Sequence, residues 1–305
     1  MVLPNFLLIG APKSGTSSVY EYLKQHPEIY MPSNKEPHYF SLNDQPPNYQ
    51  GPGDCHRFSN AIYDRHDYER LFSAVTTEKA IGEASTTYLG SKVAPHRIKE
   101  ITPNSKLIAI LRNPVEVGFS SYRHLIRDGD ERLTSFELAL EHEEQRIKDN
   151  WEGIWHYKRR GFYSRQLQNY YNLFDKNQIR VYLYDDFRDS SQRVIQDIIN
   201  FLEVNPSFEI DISKKFNVSG LPRSMCINRL ILKDNWLKIA VKCAVPDYIA
   251  EKISARIKSW NFSENRKAHN LHLKPETREY LIKVYRQDII NLQDMINRDL
   301  SNWLN

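Results

Sequence analysis

Three short segments carry residue types and spacings that could act on an anionic ligand. Gly10–Ser17 is a loop of small residues with a single lysine, and Lys35–His38 places a lysine, a glutamate and a histidine close together. Farther along, Arg112 precedes Ser120 by eight positions. A backbone loop with a lysine can bind phosphate, and a glutamate or histidine can accept a proton. An arginine with a hydroxyl can bind a second phosphate.

The first segment joins a predicted strand to a predicted helix. Phe6–Ile9 is a short apolar run that indicates a buried strand, and apolar residues recur at helical spacing from Thr16 onward. Backbone N–H groups and the positive end of a helix dipole would then converge on one point, which favours phosphate. A Walker A loop has its lysine directly after the second glycine, whereas Thr16 follows Gly15 and Lys13 lies inside the loop. For this segment alone, an ordinary strand-to-helix turn remains an equal alternative.

The second segment is predicted to be extended, because Pro32 and Pro37 restrict its backbone. Taken alone, its simplest interpretation is a solvated loop before a strand. Lys35, Glu36 and His38 acquire a catalytic interpretation only when a phosphate-binding loop lies beside them.

The third segment begins at the end of an apolar run. Leu107–Leu111 predicts a strand buried on both faces, as in a parallel sheet, and ligands bind at the carboxyl ends of such strands. Pro114 suits the first turn of the following helix, and Ser120 would lie about two turns into it. The guanidinium of Arg112 could bind phosphate through two hydrogen bonds. The competing interpretation is an arginine in a surface salt bridge.

The composition favours a globular protein that binds a small anionic ligand. The chain has 305 residues and a formal net charge of +4, which is too mild for an extended nucleic-acid interface. Its three cysteines form no C-x-x-C pair, which argues against a disulfide framework and a zinc site. No stretch approaches the ~18 apolar residues of a membrane span. These features predict a protein in a reducing cytoplasm. They leave open the oligomeric state and whether the chain forms one large α/β domain or two small ones.

The remaining pattern alternates strands with helices and predicts an α/β fold. Strands are expected at Lys79–Gly82 and Ile179–Tyr184, and an amphipathic helix at Val194–Leu202. A mostly parallel central sheet flanked by helices follows from this alternation. The last part of the chain, which ends with Pro275–Leu304, is predicted to be helical, with an apolar stripe that packs in the core.

Further expectations concern the segments between these elements. Residues 43–65 are polar and contain proline and glycine, so they predict a long surface loop. Asp67 is expected to cap a short helix that ends near Ala74. Residues 123–160 carry many charges of both signs and predict a mostly solvated helical excursion.

The three motifs, in this order, resemble those of sulfotransferases that use 3′-phosphoadenosine 5′-phosphosulfate (PAPS). P-K-S-G-T-S at 12–17 resembles their 5′-phosphosulfate loop. K-E-P-H-Y-F at 35–40 resembles the segment with the catalytic glutamate in glycan-type members such as heparan sulfate sulfotransferases. The arginine, proline and serine at 112–120 are similar to their 3′-phosphate motif. The resemblance covers almost the whole chain and implies a single domain over residues 1–305 with a P-loop-type, mostly parallel sheet.

The resemblance implies an enzyme that moves the sulfuryl group of PAPS to a hydroxyl or amine of a glycan, glycolipid or small natural product. The other product is 3′-phosphoadenosine 5′-phosphate (PAP). Glu36 is then the general base, with His38 as its rival, and Lys13 stabilises charge on the leaving phosphate. The residues assigned to the donor are Pro12, Lys13, Ser14, Gly15, Thr16, Ser17, Arg112, Ser120, Tyr163 and Arg223. Neither a metal ion nor a nucleic acid is implied.

One position departs from the family, and two other function classes stay open on sequence grounds. Ala84 stands where many members have a lysine, so no lysine contact to the transferred group is implied there. A P-loop kinase or NTPase would need a lysine after Gly15, which is absent, and an acidic strand end for Mg²⁺. Asp185 and Asp186 are candidates for that acidic end. A non-catalytic protein that binds sulfated or phosphorylated polymers would use the basic loops but would not need two nucleotide motifs.

Overall fold

The computed structural model describes residues 2–42, 45–214 and 271–305. Within these ranges, five strands form one parallel sheet in the order β2-β3-β1-β4-β5. The strands are β1 (Phe6–Gly10), β2 (Ile29–Tyr30), β3 (Ala80–Ala84), β4 (Lys106–Leu111) and β5 (Ile179–Leu183). The predicted mostly parallel sheet is confirmed.

The central strands are covered on both faces because their residues are almost all apolar. In β1, Leu7 and Ile9 pack into one hydrophobic core, whereas Phe6 and Leu8 pack into a second core on the opposite face. The apolar run 107–111 in β4 is likewise fully buried and divides between the same two cores. This arrangement confirms the prediction of a strand buried on both faces.

Helices cover both faces of the sheet. They are α1 (Thr16–Leu23), α2 (Asp54–Arg57), α3 (Arg65–Arg70), α4 (Ala94–Ile101), α5 (Pro114–Asp128), α6 (Phe136–Glu141), α7 (Glu143–Lys148), α8 (Tyr163–Tyr171), α9 (Tyr184–Asp189), α10 (Ser191–Leu202) and α11 (Pro275–Ile296). Short 3-10 turns occur at Gly153–Trp155, Arg159–Gly161, Lys176–Gln178 and Ser301–Leu304. Helices α1 and α10 contribute to one core, and α5, α8 and α11 to the other. None of the helices in the described ranges is long and apolar enough to span a bilayer.

The C-terminal helix has the role that its apolar stripe predicted. Leu281, Tyr285 and Ile289 of α11 are buried in the core shared with α5 and α8. The hydroxyl of Tyr285 also donates a 2.8 Å hydrogen bond to the carbonyl of Lys158. The predicted helical C-terminal part is therefore present, and it supports the chain that leads into α8.

The predicted cap of α3 was wrong by one turn. Asp64 is the N-cap, with an extended backbone, and its Oδ1 accepts hydrogen bonds of 2.7 and 3.2 Å from the N–H groups of His66 and Asp67. An N-cap carboxylate must lie just before the first helical turn, whereas Asp67 lies within that turn. The helix also ends at Arg70 rather than near Ala74.

The prediction of a mostly solvated excursion at 123–160 was also wrong. Arg146 and Glu131 form an ion pair of 2.8 Å whose side chains are 5% and 2% exposed. The carboxylate of Glu131 also accepts a 2.7 Å hydrogen bond from Tyr157, and the fully buried Glu143 accepts two backbone N–H groups. The charges alternate along the sequence, but in the fold they satisfy one another inside the protein.

The segment predicted as a long surface loop is partly buried against this region. Asp54, at the start of α2, is 2% exposed. It accepts hydrogen bonds from the indole of Trp155 at 2.9 Å and from the N–H group of Glu152 at 2.8 Å. Its Oδ1 also accepts from Arg57 at 3.3 Å. The contacts with Trp155 and Glu152 span about a hundred positions of sequence, so the local composition did not reveal them.

Candidate active site

A cleft of about 750 Å³ lies at the carboxyl edge of the sheet and joins the three predicted segments. Its wall includes residues that directly follow β1, β3 and β4, namely Pro12, Thr86 and Arg112. The predicted donor residues on the wall are Pro12, Lys13, Gly15, Thr16, Ser17, Arg112 and Ser120, and both base candidates, Glu36 and His38, line the same cleft. The edge at which parallel strands end is the expected place for a ligand in such a sheet.

The loop between β1 and α1 presents backbone donors at the start of a helix. Gly15 is the N-cap of α1 at φ +87°, a left-handed conformation that glycine adopts readily. A Cβ on Gly15 would lie 3.3 Å from the ring of Phe187, so the close approach of α9 also favours glycine. No side chain caps α1, and the N–H groups of Thr16 and Ser17 donate to no other described residue. These donors and the helix dipole suit a phosphate or phosphosulfate group.

Lys13 is the cation of this loop. Its backbone is left-handed at φ +62°, and its carbonyl accepts a 3.3 Å hydrogen bond from Arg112 Nη1. Burial and, to a smaller extent, the positive charge of Arg127 lower the pKa of Lys13 to about 8. The ammonium group is therefore largely protonated at neutral pH and can stabilise negative charge in the cleft.

Arg112 directly follows β4 and contacts Tyr184 and Glu116, which also line the cleft. Its guanidinium carbon lies 4.8 Å from the ring centre of Tyr184, a cation–π distance, and its Nη2 lies 3.7 Å from Glu116 Oε2. Ser120 follows two turns along α5 on the same wall. The arginine therefore faces the cleft, where its remaining N–H donors are available to an anion.

The carboxylate of Glu36 is held at the end of β3. Its Oε2 accepts a 2.8 Å hydrogen bond from the backbone N–H of Thr86, and the hydroxyl of Thr86 lies 3.2 Å from its Oε1. The ammonium of Lys35 lies 3.7 Å from Glu36 Oε1 and donates a 2.6 Å hydrogen bond to the hydroxyl of Ser17. Lys35 thus joins the carboxylate to the first turn of α1. Thr86 was not predicted, since it is fifty positions from its partner in sequence.

His38 lies directly beside this carboxylate but is more deeply buried. Its Nδ1 is 3.7 Å from Glu36 Oε2 and shares a 2.8 Å hydrogen bond with the hydroxyl of Thr87. Burial lowers the pKa of His38, although the charge of Glu36 opposes this shift. The imidazole is therefore mainly neutral at pH 7. Neutral His38 and Glu36 both remain chemically able to accept a proton.

The backbone around these two residues has an uncommon conformation. Glu36 and His38 adopt φ values of +60° and +56°, which cost about 1–3 kcal/mol each in residues other than glycine. Hydrogen bonds offset this cost: the N–H group of Glu36 donates to the carbonyl of Ala84 at 3.0 Å, and that of His38 donates to the hydroxyl of Ser85 at 3.1 Å. The Lys35–Phe40 segment is thus shaped by contacts with the chain that follows β3.

Two arginines of the wall were not assigned any role from the sequence. The side chain of Arg160 makes no hydrogen bond or ion pair with the described residues, although Glu152 and Glu36 act on it electrostatically. The Nε of Arg123 is buried without a partner in the described part of the chain. Arg123 lies three positions after Ser120 on α5, so helical spacing could have placed it on the same face. No local signal would have placed Arg160 there.

Two of the predicted donor residues that the structure describes do not line the cleft. Ser14 is fully buried and its hydroxyl donates to the carbonyl of Pro12 at 3.4 Å, so its side chain supports the loop from behind. Tyr163 is 1% exposed, and its hydroxyl has no hydrogen-bond partner among the described residues. Direct contact of the Ser14 and Tyr163 side chains with a ligand is not indicated, because both are enclosed by protein. Arg223 lies outside the described residues.

The acidic residues considered for Mg²⁺ are occupied by other contacts. Asp185 pairs with Arg188 at 2.9 Å, and Asp186 pairs with Arg298 at 2.7 Å. Neither aspartate lines the cleft. The described ranges also contain no cluster of three or more His, Cys, Asp or Glu side chains arranged to hold a metal ion.

Comparisons with known proteins identify the family. The sequence model of the sulfotransferase domain family matches residues 3–228. A solved sulfotransferase from Alicyclobacillus acidocaldarius is similar over 100% of both chains, with 33% sequence identity and a TM-score of 0.78. The chain therefore belongs to the sulfotransferase domain family, and the resemblance seen in its motifs is confirmed.

Curated relatives match shorter parts of the chain. The membrane-associated sulfotransferase kil1 of Dictyostelium discoideum is 35% identical over 129 residues, which are 42% of this chain and 24% of that protein. Heparan sulfate glucosamine 3-O-sulfotransferase 6 of Homo sapiens is 28% identical over 172 residues, which are 56% of this chain and 44% of that protein. The chain thus spans less than half the length of these two relatives.

Proposed function

We propose that this chain transfers the sulfuryl group of PAPS to a hydroxyl or amine of a glycan, glycolipid or small natural product. One observation carries the proposal: a single cleft joins the Lys13 loop, Arg112 with Ser120, and the paired base candidates Glu36 and His38. These groups match the three chemical needs of the reaction, which are a site for a phosphosulfate, a site for a second phosphate and a proton acceptor. Membership of the sulfotransferase family supports it.

The residues present fit the donor. The unpaired N–H groups at the start of α1 and the ammonium of Lys13 would hold the 5′-phosphosulfate, since both favour negative charge. Arg112 would bind the 3′-phosphate and Ser120 would donate one further hydrogen bond to it. The volume of the cleft lies within the range of about 300–1,000 Å³ that is typical of small-molecule sites.

Glu36 acts on the acceptor in the proposed reaction. Its carboxylate takes the proton of the acceptor hydroxyl or amine while that oxygen or nitrogen forms a bond to sulfur. The bond between sulfur and the bridging oxygen of the 5′-phosphate breaks, and its electron pair stays on the phosphate oxygen. Lys13 and the N–H groups of α1 stabilise this new charge, and Glu36 later returns its proton to solvent.

The acceptor is best supported as a glycan. The name of the human relative specifies heparan sulfate glucosamine, and that relative shares 28% identity with 56% of this chain. Five arginines, Arg57, Arg123, Arg127, Arg160 and Arg188, line the cleft in addition to Arg112. The kinase or NTPase alternative gains no support from the site, because Thr16 follows Gly15 and the two candidate aspartates point their carboxylates at arginines.

Calorimetric titration with PAP and with ATP–Mg²⁺ tests the donor assignment. We expect PAP to bind with a Kd of about micromolar and ATP–Mg²⁺ to bind far more weakly. Arg112→Ala should weaken PAP binding by about 2–4 kcal/mol, and Ser120→Ala by about 1 kcal/mol. Arg65→Ala is the matched control, since Arg65 forms an exposed pair with Glu69 on α3 outside the cleft. Unchanged PAP affinity in Arg112→Ala would remove the 3′-phosphate assignment.

Turnover tests the reaction itself. Incubation with PAPS and a panel of acceptors (sulfated and unsulfated glycans, glycolipids and small alcohols), followed by mass spectrometry, should detect one sulfated product class. Tight binding of ATP–Mg²⁺ with phosphorylation of an acceptor would instead establish the kinase alternative.

A further inference from the structure

A buried carboxyl group lies beneath the site and takes no direct part in the proposed reaction. Glu83, on β3, is 0% exposed. Its Oε1 accepts hydrogen bonds from the hydroxyls of Tyr88 at 2.6 Å and Tyr68 at 3.3 Å, and its Oε2 accepts one from Ser85 at 2.9 Å. Within the described ranges, Glu83 has no cationic partner. Three neutral hydroxyls therefore satisfy a carboxyl in the protein interior.

Two of these hydroxyls continue to the Lys35–Phe40 segment. The hydroxyl of Ser85 accepts a 3.1 Å hydrogen bond from the N–H group of His38, and the hydroxyl of Tyr88 accepts one of 3.3 Å from the N–H group of Phe40. A backbone N–H can only donate, and each hydroxyl has one proton. When Glu83 is ionised, its oxygens can only accept, so both hydroxyl protons point at Glu83 and the lone pairs of the hydroxyl oxygens remain for the two N–H groups.

We propose that Glu83 is a positioning residue for the Lys35–Phe40 segment and acts on this segment through Ser85 and Tyr88. By accepting from both hydroxyls, the carboxyl orients them as acceptors, and they hold the segment in the left-handed conformation that aims Glu36 and His38 into the cleft. The inference rests on the proposed function, since it assigns a role within that reaction.

A role in stability alone would not explain a carboxyl at this place. Burying a carboxyl without a cation costs free energy, and an apolar side chain of similar size would pack at lower cost. Burial accordingly raises the pKa of Glu83 to about 7. What an apolar residue could not do is accept hydrogen bonds from two hydroxyls at once. The acceptor geometry at Ser85 and Tyr88 is thus the property that only Glu83 supplies.

Substitution of the carboxyl tests this role in the intact chain. Glu83→Gln keeps the size of the side chain but replaces one acceptor oxygen with an N–H₂ donor, so at least one hydroxyl must turn its proton away. We expect kcat with PAPS, measured at pH 8 where Glu83 is mostly ionised, to fall about 10²-fold, the scale for misplaced catalytic groups. The Kd for PAP and the KM for PAPS should change by less than about twofold, because in the described part of the chain neither Lys13 nor Arg112 hydrogen-bonds to Glu83, Ser85 or Tyr88. Glu83→Asp, which restores the acceptors on a shorter side chain, should recover part of the loss.

Tyr68→Phe is the matched control. It removes the one hydroxyl that bonds Glu83 without continuing to the segment, so turnover should stay within about twofold of the parent protein. Ser85→Ala, in contrast, removes a hydroxyl that links Glu83 to the N–H group of His38, and it should lower kcat by about tenfold or more. If Glu83→Gln does not fold, Ser85→Ala and Tyr88→Phe, each compared with Tyr68→Phe, decide the question in the same way.

Amide hydrogen exchange separates positioning from loss of stability. In Glu83→Gln, the amides of His38 and Phe40 should exchange faster while those of β1 and β4 keep their protection. A wild-type kcat in Glu83→Gln, or an equal loss in Tyr68→Phe and Ser85→Ala, would overturn the inference. Failure of PAP to bind the parent protein, or the absence of any sulfated product from PAPS, would instead overturn the proposed function.

Discussion

Glu36 and His38 are adjacent candidates for one task, since the imidazole Nδ1 lies 3.7 Å from the carboxylate. The side chain of Glu36 is 25% exposed and that of His38 only 9%, so an acceptor in the cleft has easier access to the carboxylate. The hydrogen bond from the N–H group of Thr86 leaves lone pairs on Glu36 for a proton. His38 in turn is tied to Thr87. These contacts favour Glu36 as the base and a supporting role for His38.

Glu36→Gln should lower kcat by about 10²–10⁴-fold and leave PAP affinity almost unchanged. The amide keeps the size of the side chain but cannot take the proton. His38→Ala should lower kcat by a smaller factor, because it removes a neighbour of the carboxylate rather than the base. Single-turnover assays with PAPS and calorimetry with PAP measure the two quantities. An active Glu36→Gln together with an inactive His38→Ala would assign the base to His38.

Lys13 should set the alkaline limit of activity in the free enzyme. Its pKa is lowered to about 8, so its charge is lost as the pH rises through that value. We therefore expect kcat/KM for PAPS to fall above about pH 8. The limit for kcat should lie higher, because bound phosphates raise the pKa of the ammonium.

Lys13→Arg should move this alkaline limit upward, since a guanidinium stays charged throughout the range. Lys24→Arg, at the exposed end of α1, is the control and should leave the profile unchanged. The role of Lys13 would be disproved if the descending limb persisted near pH 8 in Lys13→Arg.

Among the secondary structures, the β4–α5 unit supplies a large part of the cleft wall. Arg112 follows the strand, and Ser120 and Arg123 lie on one face of the helix. The side chain of Asn113 caps α5 and accepts a 3.0 Å hydrogen bond from the N–H group of Val115. Pro114 occupies the first turn, as the sequence predicted. The start of α5 therefore determines where the arginine and the serine point.

Asn113→Ala should cost about 1 kcal/mol of stability and should also weaken PAP binding, because Arg112 is its immediate neighbour. Ser135→Ala is the matched control: Ser135 caps α6 by accepting a 3.2 Å hydrogen bond from the N–H group of Leu138, away from the donor residues. Chemical denaturation and calorimetry compare the two variants. Equal PAP affinities in both would show that the cap of α5 does not position Arg112.

Across the molecule, Glu83 links stability to pH. Its folded-state pKa of about 7 lies above the usual carboxyl value of 4.5. Below both values the group is protonated whether the chain is folded or not, so its burial carries no charge penalty. As the pH rises from about 4.5 to 7, only the unfolded chain loses the proton freely, and the folded state loses stability. Above about pH 7 this loss is complete.

Glu83→Gln should remove this dependence, since the amide does not titrate. Between pH 5 and pH 8 the unfolding free energy of the variant should rise relative to the parent by on the order of 2–3 kcal/mol. Denaturant titrations at each pH give the difference. Glu144→Gln, at an exposed site on α7, is the control and should run parallel to the parent. Parallel curves for Glu83→Gln would show that Glu83 ionises normally.

The sheet accounts for the position of the whole site. All described strands run parallel, so their carboxyl ends meet at one edge, and the loops after β1, β3 and β4 converge there. This convergence brings Lys13, Thr86 and Arg112 onto one wall although they are far apart in sequence. The single-domain organisation over residues 1–305 and the cytoplasmic location stay predictions, as does the contact of Arg223 with the donor.

Much of the fold and the donor side of the cleft could be predicted from the sequence because both depend on local pattern. Apolar runs marked β1 and β4, and helical periodicity marked α1, α5 and α11. Gly10 and Gly15 bound one loop, and Arg112 and Ser120 are separated by about two turns of one helix. Because each pair lies within a few turns of continuous chain, its members had to lie close together in space. Family membership was predictable for the same reason, since the motifs are short and continuous.

Only the tertiary structure decided which distant residues pair. Thr86 holds Glu36 across fifty positions, and Glu83 reaches the same segment through Ser85. Likewise, the sequence predicted that the charges of residues 123–160 are mostly solvated, whereas the structure buries Arg146 against Glu131. Sequence periodicity reports which face of an element is apolar, but it carries no information on which polar group from another element will meet it. The pairing of these distant polar groups is determined by the sheet, which brings the ends of separate strands to one edge.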